Sequence, residues 1–156
     1  MRLRRGKIFT MKIKFTLVFL LFAAVATQAQ IRKIPAEVTE AFKTRYPHAE
    51  KVAWKDVITS FEAQFILNGY TMTAEFGSKG DWQSSEKKLK FEELPDAVKD
   101  GFDKSKYTGW ELVSVTEIDK AEQDLQYRIL VKKSGVQKKY LFFDTNGRLK
   151  RESLTI

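Results

Sequence analysis

Residues 61–82, FEAQFILNGYTMTAEFGSKGDW, read as two alternating strands joined by a tight turn and closed by a second, glycine-containing turn. Phe61, Ala63, Phe65 and Leu67 share one face of the first strand, with Glu62 and Gln64 on the other. Beyond Asn68-Gly69, Tyr70, Met72, Ala74 and Phe76 share the core face while Thr71, Thr73 and Glu75 face water. Asn-Gly between alternating runs predicts a type I′ hairpin, because both central residues of that turn need positive φ. Ser78-Lys79-Gly80-Asp81 turns the chain again, and 82–89 supplies a fourth strand whose charge suits an exposed sheet edge.

Upstream, Ile34-Pro35 opens a helix, since proline at the first turn lacks only an N–H that would be unpaired there anyway. Ile34, Val38, Ala41 and Phe42 continue at helical spacing, Pro47 ends the run, and a helix is predicted over 35–45. Residues 51–55 then alternate as a strand, with Val52 and Trp54 on one face.

This pattern restarts. Leu94, Pro95, Val98 and Phe102 repeat Ile34, Pro35, Val38 and Phe42 at an offset of 60, and Val113 and Val115 repeat Val52 and Trp54 at 61. Tyr127 and Gly135 repeat Phe61 and Gly69 at 66, while Phe143, Gly147 and Leu149 repeat Phe76, Gly80 and Trp82 at 67. The offset only grows, and each step falls in a loop, turn or helix end, where a duplication gathers insertions. The expected fold class is α+β: two tandem αββββ repeats over 30–92 and 93–156, each a helix packed on an antiparallel sheet. One continuous sheet and two packed sheets both satisfy the pattern.

Residues 1–29 read as a cleaved signal peptide rather than part of the fold. Arg2, Arg4, Arg5, Lys7, Lys12 and Lys14 precede the apolar run 15–25, and small residues through Ala29 follow, with Ala24 and Ala26 marking a second cleavage site. The run is too short for the ~20 residues that span a bilayer, and either Met1 or Met11 can open the signal. Taking these six from the 28 basic residues leaves 22 against 20 acidic, about +2, so net charge gives no ground for a nucleic-acid partner. There is no cysteine, hence no disulfide framework and no lipid-modified cysteine, and a periplasmic or secreted protein without a stable membrane anchor is expected.

The reactive constellations reduce to structural ones. His48 is the sole histidine, set after a helix-ending proline, and neither a zinc site nor a Ser-His-Asp arrangement can be built around it. Asp144-Thr145-Asn146-Gly147 lacks the downstream register of a calcium loop and reads as a hairpin turn. Glu92 and Glu93 sit where they would meet a helix N-terminus; Glu117 and Asp119 lie in or near a loop. Lys87-Lys88, Lys132-Lys133 and Lys138-Lys139 read as edge guards and solvated hairpin ends. No enzyme activity, cofactor or metal is expected.

The leading Ile/Leu-Pro helix with its spaced aromatic, the Tyr46-Pro47 helix end, Trp54, and then Phe76-x-x-x-Gly80-x-Trp82 resemble the PepSY-like family of exported bacterial proteins. Leu94, Pro95, Phe102, Tyr107, Phe143, Asp144, Gly147 and Leu149 carry the same resemblance in the second copy. Gly77 stands where that family usually has a turn aspartate, and Thr108 where it usually has proline. The family is described as similar to the beta-lactamase inhibitor protein and is common in Bacteroidetes. The resemblance implies an exported, non-catalytic module that binds or inhibits proteins, with no catalytic residues to carry over.

The copies differ on one sheet face. Repeat alignment turns Leu141 and Phe143 inward, which puts Tyr140 and Phe142 on the other face with Leu130 nearby, where the first copy has Thr73, Glu75 and Gln64. Packing of this face on the other repeat and docking of a partner both account for it. The expected function is binding of a protein or peptide through the open sheet face, through Leu130, Tyr140 and Phe142, with Trp82 and Trp110 next. The alternative is an envelope small-molecule or lipid carrier with an apolar cavity between helices and sheet.

Overall fold

In the computed structural model the 61–82 stretch forms the hairpin its pattern predicts. Strands β2 (Ser60–Leu67) and β3 (Tyr70–Gly77) pair in register from Ser60↔Gly77 to Leu67↔Tyr70. Asn68 and Gly69 take φ of 51° and 83°, the left-handed pair that a type I′ turn demands. The described residues are 33–135 and 137–154; residues 1–29, expected to be a signal peptide, and the alternative start at Met11 lie outside them.

Before the hairpin come helix α1 (Ala36–Arg45) and strand β1 (Glu50–Val57). After it come β4 (Trp82–Leu89), a short 3-10 turn (Phe91–Glu93), helix α2 (Asp96–Asp103), and strands β5 (Glu111–Lys120), β6 (Gln126–Ser134), β7 (Gln137–Asp144) and β8 (Leu149–Leu154). The eight strands form one antiparallel sheet in the order β1 to β8, which resolves the choice between one sheet and two. The charge of β4 does not make it an edge: it pairs with β5 from Ser84↔Lys120 to Leu89↔Val115 and lies at the centre. Its charges are tolerated there because neither helix sits over the middle of the sheet and the opposite face is open.

Both helices lie on the same face. Following paired residues across the strands, Ala63, Ala74, Ser85 and Asp119 share a side, and so do Leu89, Val115, Ile129 and Leu141. Two cores form against that side. Val38 and Phe42 of α1 pack on Phe61, Phe65, Ala74 and Phe76, while Val98 and Phe102 of α2 pack on Val115, Tyr127, Ile129, Leu141 and Phe143. Side chains fill both cores; beside the first, Phe42, Tyr46, Ala49, Val52 and Trp54 line an apolar recess of about 220 Å³ between α1 and β1.

The turns after β3 and β7 press their backbone onto the helices. Gly80, at φ 86°, would set a Cβ 2.6 Å from the Glu37 carbonyl oxygen. Gly147, at φ 77°, would drive a Cβ into the Ala97 carbonyl. Each position needs glycine twice over, for its φ and for its contact. Asp144 Oδ1 accepts the Asn146 and Arg148 amides at 3.0 and 2.9 Å, a hairpin-turn cap. In the earlier turn Gly77 leaves that place empty of a side chain, and the Asp81 carboxylate fills it.

Candidate partner-binding face

The face away from the helices is built by strand alternation. Leu130 pairs with Tyr140 and Arg128 with Phe142, while Phe142 pairs in turn with Arg151. Alternation brings Leu130, Tyr140 and Phe142 together on β6 and β7, as the repeat comparison predicts. The two halves lie side by side in one sheet, so packing of this face on the other half does not account for its apolar residues.

Phe142 differs from a free anchor. It is 9% exposed, because the Arg151 guanidinium lies over its ring at 3.9 Å from the centroid. Tyr140 and Leu130 are half-buried and keep surface toward solvent. Arg128 stands 5.3 Å from the Tyr140 ring centroid and forks onto Glu86 of β4, Nη1 to Oε1 at 3.0 Å and Nη2 to Oε2 at 2.6 Å. That bidentate pair reaches across β5 and holds the guanidinium flat on the sheet. Arg128, Arg151 and Glu86 were not singled out in the sequence, although Arg128, two residues before Leu130, shares its side by strand parity.

Ile118, paired with Glu86, is buried on the same face, and Ile66 lies opposite Thr71 there; the part over β2 to β4 is largely polar. Glu62, Gln64, Thr73, Glu75, Ser84 and Glu86 line a shallow recess of about 180 Å³ over β2 to β4. Carboxylates therefore gather on one half, whereas Arg128, Lys132, Lys138 and Arg151 gather on the other.

Trp82 and Trp110 stand apart from this group. Trp82 packs against the α1 core with Arg45 over its ring at 3.7 Å, and its buried Nε1 finds no partner among the described residues. Trp110 packs against the α2 core, edge-on to Tyr107 at 5.1 Å. Both serve the helix side of the sheet rather than the open face. His48 is exposed in the turn after α1.

Two carboxylates on the helix side are held well ionised. Glu152 of β8 accepts the hydroxyl of buried Tyr107, which lowers its pKa to about 2, with Lys106 and Lys139 at 3.2 Å assisting. Glu93, expected to serve the α2 N-terminus, instead accepts the Lys90 amide at 2.6 Å and the Tyr70 hydroxyl at 2.7 Å. The Lys90 amide is the main cause of its lowered pKa. It ties the first hairpin to the link between the halves.

These features define a two-helix α+β protein with an eight-stranded antiparallel sheet open on one face. A family described provisionally as beta-lactamase-inhibitor-like, PepSY-like matches residues 59–151. The chain belongs to this PepSY-like family. Among solved structures, a DUF2874-family protein from Bacteroides ovatus superposes with a TM-score of 0.75 at 27% identity, covering 78% of this chain and 88% of that one. A protein from Bacteroides eggerthii, provisionally described as periplasmic, gives 0.74 at 25% identity over 78% and 89%. A BLIP-like protein from Bacteroides fragilis gives 0.74 at 23% identity over 79% and 87%, a likeness of fold alone. No curated protein matches the chain.

Proposed function

We propose that the protein is an exported, non-catalytic module that binds a protein or peptide partner through the open sheet face. The observation that carries this reading is the grouping of Leu130 and Tyr140 beside the Arg128 and Arg151 guanidiniums on strands that nothing covers among the described residues. Tyrosine and arginine supply much of the binding energy of protein interfaces, through area and directed hydrogen bonds that need little ordering. Phe142 acts from beneath, as the platform that keeps Arg151 extended. Membership of a family described provisionally as beta-lactamase-inhibitor-like supports a protein partner, with inhibition as one form that binding could take. Location in the periplasm or outside the cell rests on the signal-like residues 1–29 and on the neighbour described as periplasmic.

Residues 30–92 and 93–156 are, in the same reading, two copies of one unit. Each described half runs helix then four strands, and each closes with a glycine turn pressed on an equivalent helix carbonyl, Glu37 or Ala97.

Affinity capture from a Bacteroides envelope extract tests the binding reading, comparing the wild type with Tyr140→Ala, Arg151→Glu and, on the polar half, Thr73→Lys. Partners are expected with the wild type and Thr73→Lys and to be lost with the other two. Equal recovery by all four would sink the open-face assignment. Adding the protein to a periplasmic β-lactamase assay checks the inhibitory form of the proposal.

A further inference from the structure

The two helices leave a gap over the middle of the sheet. There β4 and β5 present Ser85, Lys87, Glu117 and Asp119 on the helix-bearing side, where each core presents apolar residues. The gap is a groove of about 430 Å³, walled on its other sides by Arg45 at the end of α1, Met72 of β3 and Leu125 before β6. That volume lies within the range of small-ligand sites. It is on the opposite face from Tyr140 and independent of the partner reading.

Its charges are balanced and held apart. Lys87 and Glu117 are directly opposed in the β4–β5 register, yet no salt bridge joins them among the described residues. The Lys87 ammonium instead lies 4.2 Å from the centroid of the Tyr70 ring. Glu117 lies near the Tyr127 hydroxyl, whose pKa is raised by burial and by this carboxylate, while Asp119 is occupied by Arg45 at 3.8 Å. Ser85, two residues before Lys87 on the same face of β4 and opposite Asp119, is 7% exposed, has no side-chain hydrogen bond among the described residues and lines the groove.

We propose that this groove binds a small zwitterion, an α-amino acid or dipeptide with an apolar side chain. Its carboxylate would meet Lys87 and the Ser85 hydroxyl, its ammonium Glu117, and its side chain the apolar flank of Met72 and Leu125. A simple anion or cation would pair with one wall and be repelled by the other, so recognition requires both charges on one molecule.

Titration of the purified protein by calorimetry and backbone amide NMR uses L-leucine and L-leucyl-L-leucine, with N-acetyl-leucine and leucine methyl ester as blocked analogues. At least one zwitterion is expected to bind, and whichever binds identifies the source. Each blocked analogue should bind at least about tenfold more weakly. Glu117→Gln and Lys87→Met should each weaken the zwitterion by about tenfold at an unchanged melting temperature, while Tyr140→Ala leaves it unaltered. Ser85→Ala, which keeps both charges, gives a second reading should a charge variant melt lower; it should weaken binding severalfold. Absence of binding by both zwitterions at about 10 mM, or equal affinity for the blocked analogues, would overturn the assignment. Wild-type affinity in the folded variants would do the same.

Discussion

Glu152 shows how one carboxylate joins the edge of a sheet to the turn that follows a helix. Its pKa of about 2 lies below the ordinary 4.5, chiefly through the Tyr107 hydroxyl. A depressed pKa means that its contribution to stability is fully present above about pH 4.5 and is lost as the pH falls toward 2. In urea unfolding, Glu152→Gln should lower stability at neutral pH by about 1 kcal/mol and flatten the decline of the wild type through that acid window. Wild-type and variant curves that stay parallel there would place the effect elsewhere. Gly147→Ala should cost more than about 2 kcal/mol, because strained φ and collision with the Ala97 carbonyl add. Gly69→Ala, with similar φ and open space around it, should cost only about 1 kcal/mol in the same measurement. The need for glycine at 147 was legible from the repeat; the carbonyl that enforces it comes from a residue fifty positions earlier and was not.

At the level of elements, hairpins and helices could be read from the chain almost strand by strand. Alternation and Asn-Gly chemistry are local, and the core faces of β2, β3 and β7 follow from them. The place of β4 in the sheet was misread, because position within a sheet depends on which strand pairs next rather than on composition. A polar strand serves as an edge or as a centre left open on its faces, and only pairing with β5 distinguishes them. The same pairing brings Glu86 within reach of Arg128. A double-mutant cycle, with each residue replaced by alanine, should give a coupling energy of about 1 kcal/mol, more than a typical exposed pair because the contact is bidentate and part-buried. A coupling near zero would show that Arg128 is held by Tyr140 alone.

As a whole molecule the protein has two cores and one sheet. The cores do not merge, and the halves are joined by the six registered pairs of the β4–β5 ladder together with Leu89 and Phe91, which pack on the second core. Separating them would bare two central strand edges, which is costly. The halves should therefore unfold as one. Variants retaining only Trp54, in the first core, or only Trp110, in the second, should share a urea midpoint; midpoints more than about 0.5 M apart would reveal independent halves. The sequence by itself determined the elements, their inward faces and the restart of the pattern, because period, turn chemistry and capping act over a few residues. Tertiary structure alone decided that the eight strands form one sheet, that both helices share a side, and that Arg151 lies over Phe142. It also placed Lys87 against Glu117 in a groove between the helices, since pairing partners far apart in the chain are chosen by the sum of many contacts and not by any one stretch.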